Sequence, residues 1–279
     1  VAITSHRSWS PTSLSGLSVN YVHGGYRLRS PFNNFDDESY TNACVDDLVQ
    51  VFDMMTSGDV ATMIAEPIQG VGGFATPPDG FFGAMKKELD NRGVLFISDE
   101  VQTGWGRTGE NFWGYQAHGI VPDMMTFAKG VGNGLALGGV VGRAEVMEAM
   151  PANSISTFGG NPIASAGALA TINYMLEHDT QKNSKEMGER LTKGISQAVS
   201  DSSVIAETRG RGLMRAIETV IPDSIEPNAP AAAQLMEATR ASGLLIGKGG
   251  LYGNVIRIAP PMTVTEEEID EGIAILNEA

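Results

Sequence analysis

Two stretches decide the fold: residues 94–100 read VLFISDE and residues 124–130 read MMTFAKG. Each is an apolar run of strand length that stops at a charged side chain, Asp99 in the first and Lys129 in the second. Near-continuous apolar runs of this kind are typical of parallel strands covered on both faces. Both charged groups are therefore predicted at the carboxyl edge of one sheet, where α/β proteins place their ligands.

Further runs and helical patterns extend this arrangement along the chain. Strand-like runs occur at residues 60–65 (VATMIA) and 139–142 (GVVG). Residues 80–91 show apolar side chains at helical spacing and end before Gly93, which predicts a helix between the first two strands. Such alternation favours an α/β fold with right-handed crossovers. Further helices are predicted at residues 163–176, packed closely against a sheet, and at residues 184–199.

The pattern of predicted strands and helices changes after Val204. The final helix is expected to start at Thr265, whose hydroxyl can cap it while Glu268 reaches back. We expect two domains: a large cofactor-binding α/β domain over residues 1–178, incomplete at its N-terminus, and a small α+β domain over residues 179–279. The elements predicted before this last helix in the small domain are strands at 213–218 and 255–259 and a helix at 231–242.

Composition narrows the class of protein. The 279 residues are 42% hydrophobic and 19% charged, which is ordinary for a globular protein with a real core. The net charge of -14 disfavours nucleic acid as a partner. No apolar stretch approaches the roughly 20 residues that span a bilayer. A single cysteine, Cys44, fits a reducing compartment, and the first ten residues lack a signal-peptide pattern, so a cytoplasmic protein is expected. The chain starts at Val1 within a strand-like pattern, so a fragment is also expected.

Lys129 is the first candidate for chemistry. A lysine directly after an apolar strand and before a glycine-rich turn is not expected to be a solvated surface charge. Desolvation lowers the pKa of an amine, and the neutral amine is the form that attacks an aldehyde. A lysine that snorkels from the end of a strand would explain this segment equally well.

Asp99 favours a chemical role for Lys129, because adjacent strand ends would bring the two side chains close together. An acid and an amine together suit a pyridine cofactor: the carboxylate keeps the ring nitrogen protonated and the lysine forms the covalent link. A structural Asp–Lys ion pair, which needs no cofactor, is the alternative. The GVGNG sequence at residues 130–134 has the wrong spacing for a dinucleotide fingerprint, and the four histidines have no metal-ligand spacing.

Five sequence motifs resemble those of the class III aminotransferases, which are pyridoxal phosphate enzymes of fold type I, in order and in spacing. The resemblance runs over essentially the whole chain. Two further segments, 112–123 and 208–214, look most like the mitochondrial-type alanine–glyoxylate aminotransferases and their bacterial relatives. The five motifs are AEPIQG (65–70), SDEVQTGWGRTG (98–109), PDMMTFAKGVGNG (122–134), STFGGNP (156–162) and RIAPP (257–261).

The resemblance implies a role for each matching residue. Lys129 would be the Schiff-base lysine and the proton shuttle, and Asp99 would be the partner of the pyridinium nitrogen. Gln102 would hydrogen-bond the phenolic oxygen of the cofactor. Thr157 would donate its hydroxyl to the cofactor phosphate of a neighbouring subunit, because such enzymes build each site across a homodimer interface.

Substrate binding is implied in the same way. Arg257 resembles the arginine that clamps the substrate carboxylate, a task suited to the planar guanidinium fork. Glu66 resembles the acidic gate that neutralises this arginine, although an ordinary salt bridge would also explain the pair. Trp9 stands where relatives carry a tyrosine that stacks on the cofactor, with His6 offering a competing register. The phosphate-binding turn of relatives lies upstream of Val1, so this polypeptide alone is expected to be inactive.

The sequence therefore predicts transfer of an amino group from an amino acid to a 2-oxo acid such as glyoxylate or pyruvate. Two other activities of the same fold stay open. One is an ω-amino-acid aminotransferase for 4-aminobutyrate, ornithine or β-alanine, and the other is an aminomutase, which needs no external acceptor. A degenerate paralogue that only dimerises is disfavoured because Lys129, Asp99 and Gln102 are all present.

Overall fold

The computed structural model describes residues 16–153 and 155–279, which form two four-stranded sheets with flanking helices. In chain order the strands are β1 (Thr62–Ala65), β2 (Leu95–Asp99), β3 (Met124–Phe127), β4 (Gly139–Gly142), β5 (Ile205–Arg211), β6 (Met214–Thr219), β7 (Gly247–Gly249) and β8 (Val255–Ile258). The α-helices are α1 (Asp37–Met55), α2 (Phe81–Asn91), α3 (Ala144–Met147), α4 (Pro162–Glu177), α5 (Thr180–Ala198), α6 (Ala229–Ala241) and α7 (Glu266–Glu278).

The first sheet has the order β1-β2-β3-β4. Strands β1, β2 and β3 pair in parallel, with Asp99 opposite Thr126, so the carboxyl ends of β2 and β3 lie at one edge. Strand β4 runs antiparallel to β3, which differs from the parallel pairing expected for this run. The connection from Phe127 to Gly139 is shorter than the crossover of about a dozen or more residues that a parallel neighbour needs.

Helices α1 and α2 cover this sheet with a buried aromatic core. Tyr40 and Phe81 stack with ring centroids 6.2 Å apart, and Phe82 packs on Phe96 of β2 at 5.6 Å. Helix α1 is not predicted by the sequence analysis. Its start is nevertheless clear in the structure, because the Asp36 side chain accepts the Ser39 N–H at 2.7 Å and caps the first turn.

The second sheet has the order β5-β6-β8-β7 and is antiparallel throughout. Helices α5 and α7 pack on each other beside it. This combination of an antiparallel sheet with separate helices is the α+β arrangement expected after Val204. The Thr265 hydroxyl caps α7 by accepting the Glu268 N–H, and the Glu268 carboxylate accepts the Thr265 N–H, as the capping-box pattern predicts. Helix α5 begins four residues earlier than expected, since Asp179 caps it by accepting the Lys182 N–H.

Helix α4 occupies the predicted segment, but its surroundings differ from the prediction. Its residues contact mainly the turn Lys129–Gly132 and helix α5 rather than a sheet. Only Ala164 and Ala168 are buried along its length, while Ile163 is 74% exposed and Leu176 is 65% exposed. An apolar helix therefore lies largely uncovered on the described surface. Within residues 16–153 and 155–279, no helix combines the length and the apolar composition that crossing a membrane requires.

Candidate active site

Asp99 ends β2, and Lys129 follows the end of the neighbouring strand β3 by two residues, at the edge of the first sheet that the sequence predicts. The Asp99 carboxylate is held by the Val101 N–H, which donates to Oδ1 at 3.1 Å. Lys129 opens the short 3-10 turn Lys129–Gly132 directly after β3. Its φ of +48° lies in the left-handed region, which is uncommon for a residue with a side chain. Strained backbone conformations of this kind cluster at active sites.

Lys129 is exposed in this single chain, and the expectation that the strand end keeps it away from solvent is wrong here. The strand ends two residues earlier, at Phe127, and Lys129 begins a 3-10 turn with a left-handed backbone conformation. The structural Asp–Lys pair is also not observed: among the residues that the structure describes, Lys129 forms no ion pair with Asp99 or with any other carboxylate.

Glu66 brings the candidate residues into one electrostatic neighbourhood. Burial raises the pKa of its carboxyl above the ordinary value, and the negative charge of Asp99 adds to the shift. A hydrogen bond from Gly70 and the positive charges of Lys129 and Arg257 act in the opposite direction. Four residues that the sequence analysis selects from four separate segments thus lie close enough to influence one another.

The backbone of Gly70 connects Glu66 with Arg257. Its N–H donates to Glu66 Oε2 at 2.9 Å, and its carbonyl oxygen accepts from Arg257 Nη1 at 3.2 Å. A direct Glu66–Arg257 salt bridge, which would have explained the pair without a substrate, is absent from the ion pairs of the described chain. Gln102 lies against the same glycine, since a Cβ built on Gly70 would fall 2.1 Å from Gln102 Nε2.

Arg257 has the features of an anion-binding group. Its guanidinium lies 5.5 Å from the centre of the Phe74 ring, and Nη2 donates to the Lys248 carbonyl at 3.3 Å. Burial lowers the pKa of Arg257, and Glu66 opposes that shift. Its Nε is buried and has no hydrogen-bond partner among the residues described. A half-buried cation with an unused donor favours a carboxylate ligand.

The residues at this edge fit a pyridoxal phosphate ring. Lys129 supplies an amine without a competing partner in the described chain, and Asp99 supplies a fixed carboxylate one strand away. Gln102 supplies an amide that lies where Gly70 has no Cβ to displace it. A primary amine, a carboxylate and an amide are the donor set that an aldehyde, a ring nitrogen and a phenolic oxygen require.

Two predicted site residues stand apart from this group. Thr157 lies in an exposed turn, and no contact joins it to Asp99 or Lys129 in the described chain. Trp9, with the competing His6 register, lies outside the described residues, so its predicted stacking role stays a prediction.

Sequence reasoning also missed residues that shape the site. We call residues 66–75 the recognition loop, because the segment carries Glu66, Gly70 and Phe74. Arg209 donates through Nε to the carbonyl of Gly73 in this loop at 2.9 Å. In the sequence, Arg209 stood out only through its place in segment 208–214 (TRGRGLM). That resemblance predicted no contact for Arg209.

A family model and curated proteins match this chain. A model described as "Aminotransferase class-III" matches residues 8–279. An Arabidopsis thaliana protein named "Alanine--glyoxylate aminotransferase 2 homolog 2, mitochondrial" is 39% identical over 255 residues, which cover 91% of this chain and 52% of that protein. A 5-aminovalerate aminotransferase of Pseudomonas putida is 41% identical over 221 residues, covering 79% of this chain and 52% of that protein. The chain thus spans about half the length of the curated relatives it matches.

Solved structures agree with the sequence matches. A Bacillus anthracis aminotransferase superposes with a TM-score of 0.86 at 29% identity, covering 98% of this chain and 62% of that chain. An amine transaminase from an uncultivated Pseudomonas species, described as PLP-bound, superposes with a TM-score of 0.85 at 29% identity. That match covers 94% of this chain and 61% of the other. The fold is that of the fold type I transaminases.

The raised pKa of Glu66 predicts a pH-dependent contribution to stability. A folded-state pKa above the unfolded value means that the folded state favours protonated Glu66, so its stabilising contribution is full below the ordinary glutamate pKa of about 4.3. That contribution is lost as pH rises through the raised folded-state pKa. The free energy of unfolding of the wild type, minus that of Glu66→Gln, should therefore fall as pH rises.

Urea unfolding of both proteins at several pH values between about 4.5 and 8 measures this difference. A difference that grows with pH would contradict the assignment of Glu66 as a desolvated carboxylate.

Proposed function

Because this chain belongs to the class III aminotransferase family, we propose that the protein transfers an amino group from an amino acid to a 2-oxo acid with pyridoxal 5'-phosphate. The observation that carries the proposal is the convergence of Asp99, Lys129 and Arg257 around Glu66 at one edge of the first sheet. Each of these side chains has a role that the proposed reaction requires, and each comes from a separate segment of the chain.

Three residues serve the cofactor in this proposal. When bound, pyridoxal phosphate supplies an electron sink for the negative charge that develops on the substrate carbon. Lys129 would hold the cofactor through Nζ, and its free amine would move the proton between substrate positions. Asp99 keeps a proton on the ring nitrogen by charge attraction. Gln102 donates its amide N–H to the phenolic oxygen, from its place beside Gly70.

Arg257 and Glu66 set the substrate class. The guanidinium fork of Arg257 binds the substrate carboxylate with two parallel N–H donors. Glu66 accepts from the N–H of the same glycine whose carbonyl binds Arg257, and it offsets the charge of Arg257 when no carboxylate is bound. This exchange lets one site accept in turn a donor and an acceptor that differ in charge.

Two sets of substrates compete in this proposal. Relatives named for alanine–glyoxylate, 5-aminovalerate and 4-aminobutyrate transfer match at 39–41% identity, which supports glyoxylate or pyruvate as acceptor and an ω-amino acid as the alternative donor. Assays of the full-length protein with alanine and with 4-aminobutyrate, each with a 2-oxo acid, separate these alternatives. Turnover that needs no added 2-oxo acid would identify an aminomutase.

We further propose a homodimer whose active sites are shared. The exposed turn that carries Thr157 continues into α4, whose uncovered apolar side chains include Ile163 and Leu176. Phe158, next to Thr157, is 83% exposed. Apolar surface of this extent commonly marks a contact with another chain or segment, and a second copy would bring Thr157 to the phosphate of its partner.

The proposal includes two further assignments. The chain divides into a large domain over residues 1–178 and a small domain over residues 179–279, a division that the two separate sheets support. A cytoplasmic location is supported by the single free cysteine, Cys44, which fits a reducing compartment.

The role of Lys129 predicts where the cofactor is attached. Borohydride reduction of the full-length protein with pyridoxal phosphate, followed by peptide mapping, should find the pyridoxyl group on Lys129. Lys129→Arg, which keeps the charge, should lose the label and slow turnover by roughly a hundred- to ten-thousandfold. A label on a different lysine, with full activity in Lys129→Arg, would refute the assignment.

The role of Asp99 predicts a loss in the chemical step rather than in binding. Asp99→Ala should retain bound cofactor but slow single-turnover transfer on the order of a hundredfold, since a charge-stabilising partner commonly contributes a few kcal/mol. Asp99→Glu retains the carboxylate and is the matched control, with a smaller loss expected. Near-normal turnover in Asp99→Ala would exclude the pyridinium role.

The role of Thr157 predicts that cofactor binding and dimerisation are linked. Pyridoxal phosphate should lower the dimer dissociation constant of the full-length protein, because a ligand shared across the interface binds the dimer better than the monomer. Thr157→Ala should weaken this effect by roughly 1.5–3 kcal/mol, the contribution of one charge-assisted hydrogen bond. Thr157→Ser, which keeps the hydroxyl, should preserve it.

Sedimentation of the apo and holo proteins over a dilution series measures both effects. A holo-protein that is monomeric and fully active would contradict the shared site, and Thr157 would then be a turn residue only.

A further inference from the structure

A buried carboxylate that the proposed reaction does not use lies on β6. Glu218 is fully buried and accepts hydrogen bonds from Tyr26 Oη at 2.6 Å, Arg209 Nη1 at 2.5 Å, Asn254 Nδ2 at 3.1 Å and Arg29 Nη1. Burial raises the pKa of this carboxyl, but the charge of Arg209 and the donated hydrogen bonds outweigh it and lower the pKa. Glu218 is therefore a fixed negative charge inside the protein.

Arg209 extends from this charge to the recognition loop. Nη1 is bound by Glu218, while Nε of the same guanidinium donates to the Gly73 carbonyl at 2.9 Å. The side chain is 10% exposed, so both bonds form away from bulk water. Gly73 has a φ of +93°, and a Cβ built there would lie 3.0 Å from Arg209 Nη2. The guanidinium and the loop backbone are thus in close contact.

The position of Gly73 affects the surroundings of Arg257, because neighbouring residues of the recognition loop contact the Arg257 guanidinium. Phe74 follows directly, and its buried ring faces the Arg257 guanidinium at 5.5 Å. Gly70, three residues earlier, accepts from Arg257 Nη1. A displacement of Gly73 would consequently move both the aromatic face and the carbonyl acceptor that hold Arg257.

A planar guanidinium suits this task better than an ammonium. Its N–H donors point in fixed directions, so one side chain can bind Glu218 and Gly73 at once with a defined angle between them. Buried ion pairs add little net stability in many proteins, and their best-supported role is to specify one geometry. The Arg209–Glu218 pair fits that role, because it fixes the guanidinium that bonds the Gly73 carbonyl and so connects the second sheet to the recognition loop.

We propose that Arg209, oriented by Glu218, is a positioning residue for substrate recognition, which fixes Gly73 and Phe74 so that Arg257 faces the substrate carboxylate. The inference rests on the proposed function, since it requires Arg257 to bind a carboxylate. Arg209 acts through the loop and does not contact the substrate. Its loss should weaken carboxylate binding while the chemistry at Lys129 and Asp99 is retained.

The test is Arg209→Lys in the full-length holo-protein. Lysine keeps the charge for Glu218 but cannot hold Gly73 with the same geometry. The KM for the amino acid donor should rise about five- to tenfold, as contacting residues are commonly coupled to this extent, while kcat changes less than about twofold. The dissociation constant of propanoate, a carboxylate without an amino group, should rise by the same factor in calorimetric titration.

Arg143→Lys is the matched control. Arg143 pairs with the buried carboxylate of Asp123 at 2.9 Å, on the opposite edge of the first sheet from Asp99. It makes the same chemical change in an ion pair that does not reach the recognition loop. It should leave the KM and the propanoate affinity at their wild-type values, whatever it does to the melting temperature. Glu218→Gln combined with Arg209→Lys should be less than additive on propanoate affinity.

The outcomes separate this inference from the proposed function. Unchanged propanoate affinity in Arg209→Lys, or a loss that follows the melting temperature equally in both lysine variants, would overturn the positioning role. If Arg209→Lys does not fold, Tyr26→Phe removes one donor to Glu218 and should raise the propanoate dissociation constant about two- to threefold; no change would overturn it. A wild type that binds propanoate but transfers no amino group would reject the proposed function instead.

Discussion

Gly70 is bonded to charged side chains through both of its backbone polar groups, to Glu66 through its N–H and to Arg257 through its carbonyl oxygen. Gly70 also has no Cβ, which leaves room for Gln102. The backbone of one glycine therefore relates the position of a carboxylate to that of a guanidinium. The remaining architecture keeps this glycine in position: β1 delivers the loop, β8 delivers Arg257, and the second sheet holds the loop from its far end.

The first sheet and its two charged ends were accessible from sequence because they follow local rules. Apolar runs predicted β1, β2 and β3, and the order of those runs placed Asp99 and Lys129 at one edge. The capping of α7 by Thr265 was equally local. The antiparallel direction of β4 was not predicted, because it depends on the length of a connection rather than on the strand itself.

What sequence reasoning missed depends on contacts between distant segments. Arg209 and Gly73 are separated by 136 positions, and Tyr26 and Glu218 by 192. The sequence pattern of one segment therefore does not indicate its contact with the other. The exposure of Lys129 and of α4 has a related origin. A strand-end lysine and an apolar helix both suggest burial, but whether another surface covers them is decided outside their own segments. The sequence predicted candidate residues for the site, but it did not predict the residues that support them.

The left-handed backbone at Lys129 has a consequence for attempts to improve this protein. A residue with a side chain held at such a φ costs on the order of 1–3 kcal/mol, and glycine or asparagine would relieve much of it. The fold therefore carries a local instability at the position that the proposed chemistry requires. Under that proposal, a library screened only for heat resistance would enrich substitutions at Lys129 and lose active variants, because backbone geometry sets stability against activity there. Directed evolution of this scaffold needs selection for turnover at every round.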